Sequence, residues 1–436
     1  MNKQGTEHRP SAKTFLGRVA AVATGNVIAQ ACAFLAFPLL ARIYTPSEFG
    51  ILGVYLAVVG VLQVFGTFRF DDAVIVADHD DDSERLASLA LRIALTISTG
   101  LTVACLIYLW LSVIHPSFVP RPIDSAMLLA IPLGIAVDSI FLVFRAVSVR
   151  LTKFKAVSVA LVVSTVSKVV IQVVAGWFGV GAIGLIGGHI LGFMLGGATM
   201  VIAEPATFNY IVRAWKTSSK GMWQLAREFR DFGTYDTLNA LLNSLSRNLP
   251  YFLLTTFFGL SVAGAFTMAV RLVMTPLNLI SQSLRHVVLQ RMSGMSRNGE
   301  DLLAFVRQQT LILAGAMLVV FVLFFLATPL VVAFVLGPEW ELAGQYARWL
   351  IFWGACMVLN VPSVCFLKVM RRQYIILIHQ IVLLTVRAGV LTLAGMMLGA
   401  IPAIALFAIS SAVLNIGLVL YANLLTRSSR SPWVIA

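Results

Sequence analysis

Stretch after stretch of this chain runs the width of a bilayer with hardly a charge in it. A helix needs ~20 apolar residues to cross a ~30 Å hydrocarbon layer, and about twelve stretches are long enough. They lie at 17–41, 48–68, 86–112, 125–147, 155–177, 181–203, 234–257, 261–284, 308–336, 343–366, 374–398 and 401–425. Charged residues make up 12% of the chain and hydrophobic ones 59%, where a soluble domain carries about 25% charged residues. Closed barrels also satisfy every backbone group in lipid, but their strands alternate apolar and polar residues. No such alternation runs through these stretches. The expected fold is an all-α integral membrane protein with about 12 transmembrane helices.

The formal net charge of +13 would suit a nucleic-acid binder, but the cations sit where membrane topology puts them. Lys3, Arg9 and Lys13 precede the first span, Arg150, Lys153 and Lys155 follow the fourth, and Arg213, Lys216, Lys220, Arg227 and Arg230 follow the sixth. Arg291, Arg297 and Arg307, then Lys368, Arg371 and Arg372, then Arg427 and Arg430 continue the series. Every second gap is basic, so the positive-inside rule places both termini in the cytoplasm. No nucleic acid partner is expected; contact with membrane lipid is. The acidic segment FDDAVIVADHDDDSE at 70–84 breaks the pattern and reads as a solvated surface loop. Cys32, Cys105, Cys356 and Cys365 lack any C-x-x-C spacing and imply neither disulfide nor metal.

The longest gap, 204–233, is rich in Lys, Arg, Ser and Trp. It reads as a cytoplasmic linker between an N-terminal six-helix bundle, 1–203, and a C-terminal one, 234–436, arranged around a central cavity. Asn26 and Gln30 match Asn239 and Asn243 in spacing, and Gly53-Val54-Tyr55 matches Gly264-Ala265-Phe266. Such a repeat would be parallel, with its axis along the membrane normal.

Lone cations stand well inside the apolar spans: Lys168, Arg247, Arg271 and Arg387. A cation at bilayer depth costs ~2.5–3.5 kcal/mol, so each must face water or a partner. The comparable acid is Asp138. In the eighth span Arg271, Thr275, Asn278, Gln282 and Arg285 share one helix face. In the seventh, Asp236, Asn239, Asn243 and Arg247 share another, and in the first Arg18, Asn26 and Gln30 form a looser set. Lipid offers such donors nothing, which predicts a hydrophilic cleft walled by helices one, seven and eight. A cleft rich in cations and poor in acids is suited to an anion. Gly184, Gly188, Gly192 and Gly196 repeat at the spacing that lets helix backbones touch. His189 beside them reads as a hydrogen-bonded helix contact.

Four stretches carry a family resemblance. LGPEWELAGQYARWLIFWGACMVLNVPS (336–363) resembles the phrase between helices nine and ten of bacterial polysaccharide and O-antigen flippases. LLARIYTPSEFGILGVY (39–55), FRFDDAVIVADHDDDSERLASLALRI (68–93) and AGAFTMAVRLVMTPLNLISQSLRHVVLQRMS (263–293) resemble three further segments of that family. It belongs to the multidrug, oligosaccharidyl-lipid and polysaccharide exporter superfamily. The resemblance implies twelve helices in two six-helix bundles, with helices one, two, seven and eight lining a central cavity. It implies alternating access and a polyprenyl-diphosphate-linked oligosaccharide as cargo, moved across the bacterial inner membrane alongside other polysaccharide assembly proteins.

Carried onto this chain, the cationic positions are best matched by Arg247 and Arg271, with Arg18 and Lys168 behind them. Asn239, Asn243, Asn278 and Gln282 would meet sugar hydroxyls, and Asn26 and Gln30 would line the same cavity. Asp138 and the Asp71-Asp72 pair are candidates for cation coupling or gating. Pro46, Gly50, Trp340, Gly344 and Tyr346 look like turn and packing devices. No catalytic residue, cofactor or metal is expected. The rivals are a multidrug cation antiporter, which should offer acids and aromatics, and a glycan polymerase or ligase, which should display catalytic groups on a sizeable external loop.

Overall fold

Helices account for almost all of the computed structural model, which describes residues 25, 27–114, 125–216, 222–370 and 372–428. An apolar helical stretch, Val27–Ile43, ends in α1 (Phe37–Ile43). It is followed by α2 (Pro46–Thr67), α3 (Phe70–Val76), α4 (Asp80–Ile114), α5 (Ser125–Arg150), α6 (Phe154–Trp177) and α7 (Ala182–Ala203). Then come α8 (Pro205–Lys216), α9 (Met222–Glu228), a π-helical turn over Phe232–Asp236, α10 (Thr237–Phe258) and α11 (Leu260–Arg297). The last are α12 (Leu302–Leu336), α13 (Glu341–Leu359), α14 (Val361–Val369), α15 (Gln373–Met397) and α16 (Ala400–Ser428).

Among the described residues, 10 helical segments are long and apolar enough to cross a membrane. This is an all-α, multi-pass membrane fold. The helix expected over 234–257 is present as α10, with 22 residues. It falls outside that set because Asn239, Asn243, Arg247 and Asn248 dilute its apolar content.

Local chemistry sets the boundaries. Thr45 and Glu48 form a reciprocal cap at the start of α2: the Thr45 amide donates to Glu48 Oε2 at 2.7 Å, and the Glu48 amide donates to Thr45 Oγ1 at 3.4 Å. Pro46, whose missing N–H costs nothing in the first turn, stands between them. Asp301 caps α12 by accepting from the amides of Leu303 and Ala304 at 2.8 and 3.2 Å. Gly337, with φ 107°, stops α12 and turns the chain into the Pro338–Trp340 turn.

Contacts divide the chain into two units. The first holds the described residues up to Ala36, Leu62–Ala175 and Ile186–Thr237. Phe70, Leu86, Ala90, Val143, Val147, Tyr210 and Leu225 form its core. The stretch 70–84, expected as a solvated loop, instead contributes α3, with Phe70, Asp71, Ala73 and Val74 buried. Phe70, Ala73, Val74 and Ala77 recur at i, i+3, i+4 and i+7, a helical stripe hidden among acids. Arg150 holds the segment by donating to the carbonyls of Val74 and Ala77 and pairing with Asp80 at 2.9 Å. The stretch expected as a linker carries α8 and α9. Tyr210 of α8 donates to Ser83 Oγ at 2.7 Å, and Arg213 pairs with Glu84 at 3.1 Å. The α7 glycines press on α6: a Cβ at Gly192 would stand 2.6 Å from the Ser164 carbonyl, and one at Gly196 2.6 Å from Ser164 Cβ.

The second unit holds Phe37–Val61, Gly176–Leu185 and the chain from Leu238 onward. Its central helix is α13, which packs on α11, α12 and α16. Tyr346, Leu350, Gly354 and Val358 form one of its buried rows, and Ala343, Ala347, Ile351 and Ala355 another. Just before it, Trp340 is fully buried and its Nε1 donates to the Ala41 carbonyl at 2.9 Å. Gly50 of α2 and Gly264 of α11 meet the opposite backbone so closely that an added Cβ would overlap the carbonyls of Leu260 and Pro46 respectively. The motif residues Pro46, Gly50 and Trp340 are thus turn and packing devices.

Candidate functional site

Within the second unit, α10, α11, α13, α14, α15 and α16 enclose a cavity of about 430 Å³. Helical spacing puts Asn239, Asn243 and Arg247 on its α10 wall, at i, i+4 and i+8. From α11 come Asn278, Ser281, Gln282 and Arg285. Lys368 enters from α14, His379, Gln380 and Arg387 from α15, and Asn415 from α16. Four cationic side chains line this space. No carboxylate is among the described residues that do so.

One of the four is fixed in place. Arg387 is 4% exposed, with Nε donating to Ser411 Oγ at 2.9 Å and Nη1 to Ser246 Oγ at 2.8 Å. Its guanidinium carbon lies 4.7 Å from the Trp353 ring centre and 5.2 Å from that of Phe407. The neutral hydroxyls and aromatic faces hold it without cancelling its charge. The same wall continues through Asn415, whose amide donates to the Ser411 carbonyl at 2.7 Å, and Asn360, whose amide donates to Asn415 Oδ1 at 2.9 Å. Arg247 and Arg285 are exposed side chains. The cavity therefore has one immobile guanidinium in its wall and free cations beside it. A pre-set cation loses little by reorganisation when an anion arrives.

Five of the expected site residues meet here: Arg247, Asn239, Asn243, Asn278 and Gln282. Arg271 is on the same face of α11 but does not line the cavity; its guanidinium carbon stands 5.7 Å from the Phe49 ring centre. Seven residues separate it from Asn278, about 10 Å along a helix. Tyr251 lies within electrostatic reach of both Arg271 and Arg247. Lys168 belongs to the first unit, where its carbonyl and Cβ face Gly188 and Gly192. Gln30 is half-buried in the first unit. Arg18 and Asn26 lie outside the described residues. Asp71 is buried and accepts from Thr67 Oγ1 at 2.6 Å. Asp72 pairs with Arg69; burial pushes its carboxyl up, against the pull of that guanidinium. Both aspartates brace the turn in which Phe68 and Arg69 have φ of 46° and 60°. Asp138 meets His189, Oδ2 to Nε2, at 3.3 Å.

Residues 39–344 match the family described as "Polysaccharide biosynthesis protein". A curated relative, the succinoglycan biosynthesis transport protein ExoT of Rhizobium meliloti, is 26% identical over 321 residues, 71% of this chain. The match spans 60% of that relative's length. Among solved structures, an inward-facing multidrug resistance MATE family transporter of the MOP superfamily superposes with a TM-score of 0.70 at 13% identity, over 95% of this chain and 99% of that one. The lipid II flippase MurJ, in an inward closed conformation, does so with a TM-score of 0.66 at 12% identity, over 93% of this chain and 87% of that one. At such identities the likeness establishes a shared fold. The match over 39–344 goes further: the chain belongs to the polysaccharide biosynthesis protein family and has the fold of MOP superfamily transporters.

Proposed function

We propose that this protein is a flippase that moves a polyprenyl-diphosphate-linked oligosaccharide, the repeat unit of an O-antigen, capsule or exopolysaccharide, from the cytoplasmic to the periplasmic leaflet of a bacterial inner membrane. The observation that carries this reading is the charge of the cavity: Arg247, Arg285, Arg387 and Lys368, with no carboxylate among the described residues that line it. A diphosphate is the part of such a cargo that needs cations, and guanidinium groups grip its oxygens in pairs. Attraction in a low-dielectric cleft also exceeds its value in water. Asn239, Asn243, Asn278 and Gln282 supply neutral donors and acceptors for sugar hydroxyls, while the polyprenyl tail stays in lipid. ExoT, itself named a transport protein, and the MOP fold support movement rather than chemistry.

Adding α10 and the helix that ends at Ile43 to the ten clear spans gives twelve. In this reading they form six in each half, 1–203 and 234–436, joined through 204–233, with both termini cytoplasmic and access alternating between the two membrane faces. Arg271, Arg18, Lys168, Asn26 and Gln30 would serve the cargo at other stages of the cycle. Export of organic cations fits the same fold, but such a ligand would meet four like charges here.

In a strain lacking its own flippase for a compatible glycan, this chain restores surface polysaccharide. The double variant Arg247→Ala/Lys368→Ala reaches the membrane and exports none. Full export by that variant removes the cavity from the mechanism.

A further inference from the structure

In the second unit α12 and α16 touch, and a groove of about 460 Å³ runs between them. Arg307, Thr310 and Leu311 line it from α12 at i, i+3 and i+4, and Leu420, Asn423 and Leu424 line it from α16 at the same spacing. Each set is one helix face. Leu311, Leu420 and Leu424 are exposed. Arg307 stands near the start of α12 and Asn423 near the end of α16, so the polar ends of the two walls coincide. Leu311 follows Arg307 by about 6 Å along its helix.

The cation is out of place in so apolar an element. Arg307 is the single charged residue of α12, and among the described residues no ion pair includes it. The acids nearest in the chain are engaged: Glu300 Oε1 accepts from Asn298 at 3.0 Å, and Asp301 caps the helix. Thr310 is the second anomaly. Other helical threonines return the hydroxyl to the carbonyl four residues back, as Thr255 does to Tyr251 at 2.7 Å and Thr385 to Ile381 at 3.0 Å. Thr310 Oγ1 is closed off from solvent and has no hydrogen-bond partner, which is a cost. Turned to another staggered position, it can meet a ligand oxygen without giving up a bond. On the facing wall Asn423 Nδ2 donates to the Val419 carbonyl at 2.9 Å.

A free anion would satisfy Arg307 but leave the leucines bare, and a neutral lipid would do the reverse. A two-fold dimer through this face would set one Arg307 near another. We propose that the groove binds an anionic phospholipid of the bilayer, with its phosphate at Arg307 and Thr310 and an acyl chain along Leu311, Leu420 and Leu424. In the topology proposed above this lipid belongs to the cytoplasmic leaflet. The groove is distinct from the cationic cavity, although α16 borders both: Asn415 and Leu418 face the cavity, while the groove residues of α16 lie on roughly the opposite side of the helix. A lipid seated here spans α12 and α16 and braces one wall of the cavity.

The test titrates the full chain, in neutral detergent, with fluorescent phosphatidylglycerol and separately with fluorescent phosphatidylcholine. The wild type binds phosphatidylglycerol saturably and at least about fivefold more tightly than phosphatidylcholine. Arg307→Gln brings the two lipids level, whereas Arg297→Gln, which removes an exposed cation outside the groove, leaves the preference intact. A preference that survives Arg307→Gln, or that falls equally in Arg297→Gln, overturns the proposal. Should Arg307→Gln fail to fold, Arg307→Lys decides: it keeps the preference within about twofold, and loss of the preference in that folded variant counts against the site. Inorganic phosphate and undecaprenyl diphosphate leave the labelled phosphatidylglycerol bound. Displacement by the first makes this a free-anion site, and displacement by the second gives the groove to the cargo; either overturns the proposal. A wild type without lipid preference, whose dimers Leu311→Asn disperses, assigns the face to a second copy and overturns it as well.

Discussion

Arg387 shows how this protein keeps a positive charge where charge is expensive. Its hydrogen bonds go to hydroxyls, Ser411 and Ser246, and its faces to Trp353 and Phe407. Among the described residues no acid pairs with it, so the charge stays available to a ligand. Lysine at this position keeps the charge but loses the planar fork and the two-serine hold. Arg387→Lys should weaken undecaprenyl diphosphate binding about tenfold, a loss of ~1.4 kcal/mol. Arg285→Lys, at an exposed position, should change it less than about twofold. Comparable losses in both would mean that fixed geometry is irrelevant. Sequence could show part of this. Asn239, Asn243 and Arg247 were legible because they recur at helical spacing. Arg387 stood out as a lone cation within an apolar span, but no spacing tied it to these residues; Lys368 read as one of the topology cations, and Asn415 gave no periodic signal. Arg271 shows the opposite limit: its spacing from Asn278 fixed the face but not the level, and Phe49, not the cavity, meets it.

Between elements, glycine decides how closely helices approach. At Gly264 an added Cβ would overlap the Pro46 carbonyl, a backbone atom that cannot rotate away. Gly417 of α16 has nothing within 4 Å of such a Cβ. Gly264→Leu should therefore lower the thermal midpoint of the purified protein in detergent by many degrees, with a cost beyond the ~1–3 kcal/mol of ordinary overpacking. Gly417→Ala should leave the midpoint unchanged or raise it slightly, since alanine favours a helix interior by roughly 0.5–1 kcal/mol. Equal effects at both positions would contradict the close crossing of α2 and α11. The elements themselves were mostly readable, since apolar length marks a span. What escaped was α3: an acid-rich stretch looks solvated until Phe70, Ala73 and Val74 are seen to pack on Leu86 and Val143 in one core.

For the whole molecule, two uses of positive charge must be kept apart. Most of the cations behind the +13 net charge lie in alternate gaps, the distribution that the positive-inside rule links to topology. A small set lies inside the second unit, around a cavity with no acid among its described lining residues, and this set carries the functional claim. Net charge alone would attract any anion and fade with salt, whereas a built cavity should discriminate by shape and depth. The decisive measurement is equilibrium binding to the purified full chain of two amphiphiles, undecaprenyl diphosphate and a lipophilic quaternary ammonium, with and without Arg247→Ala. The account predicts that the diphosphate binds, that Arg247→Ala weakens it at least about tenfold, and that the ammonium does not compete. Tight ammonium binding, or diphosphate binding indifferent to Arg247, would contradict it.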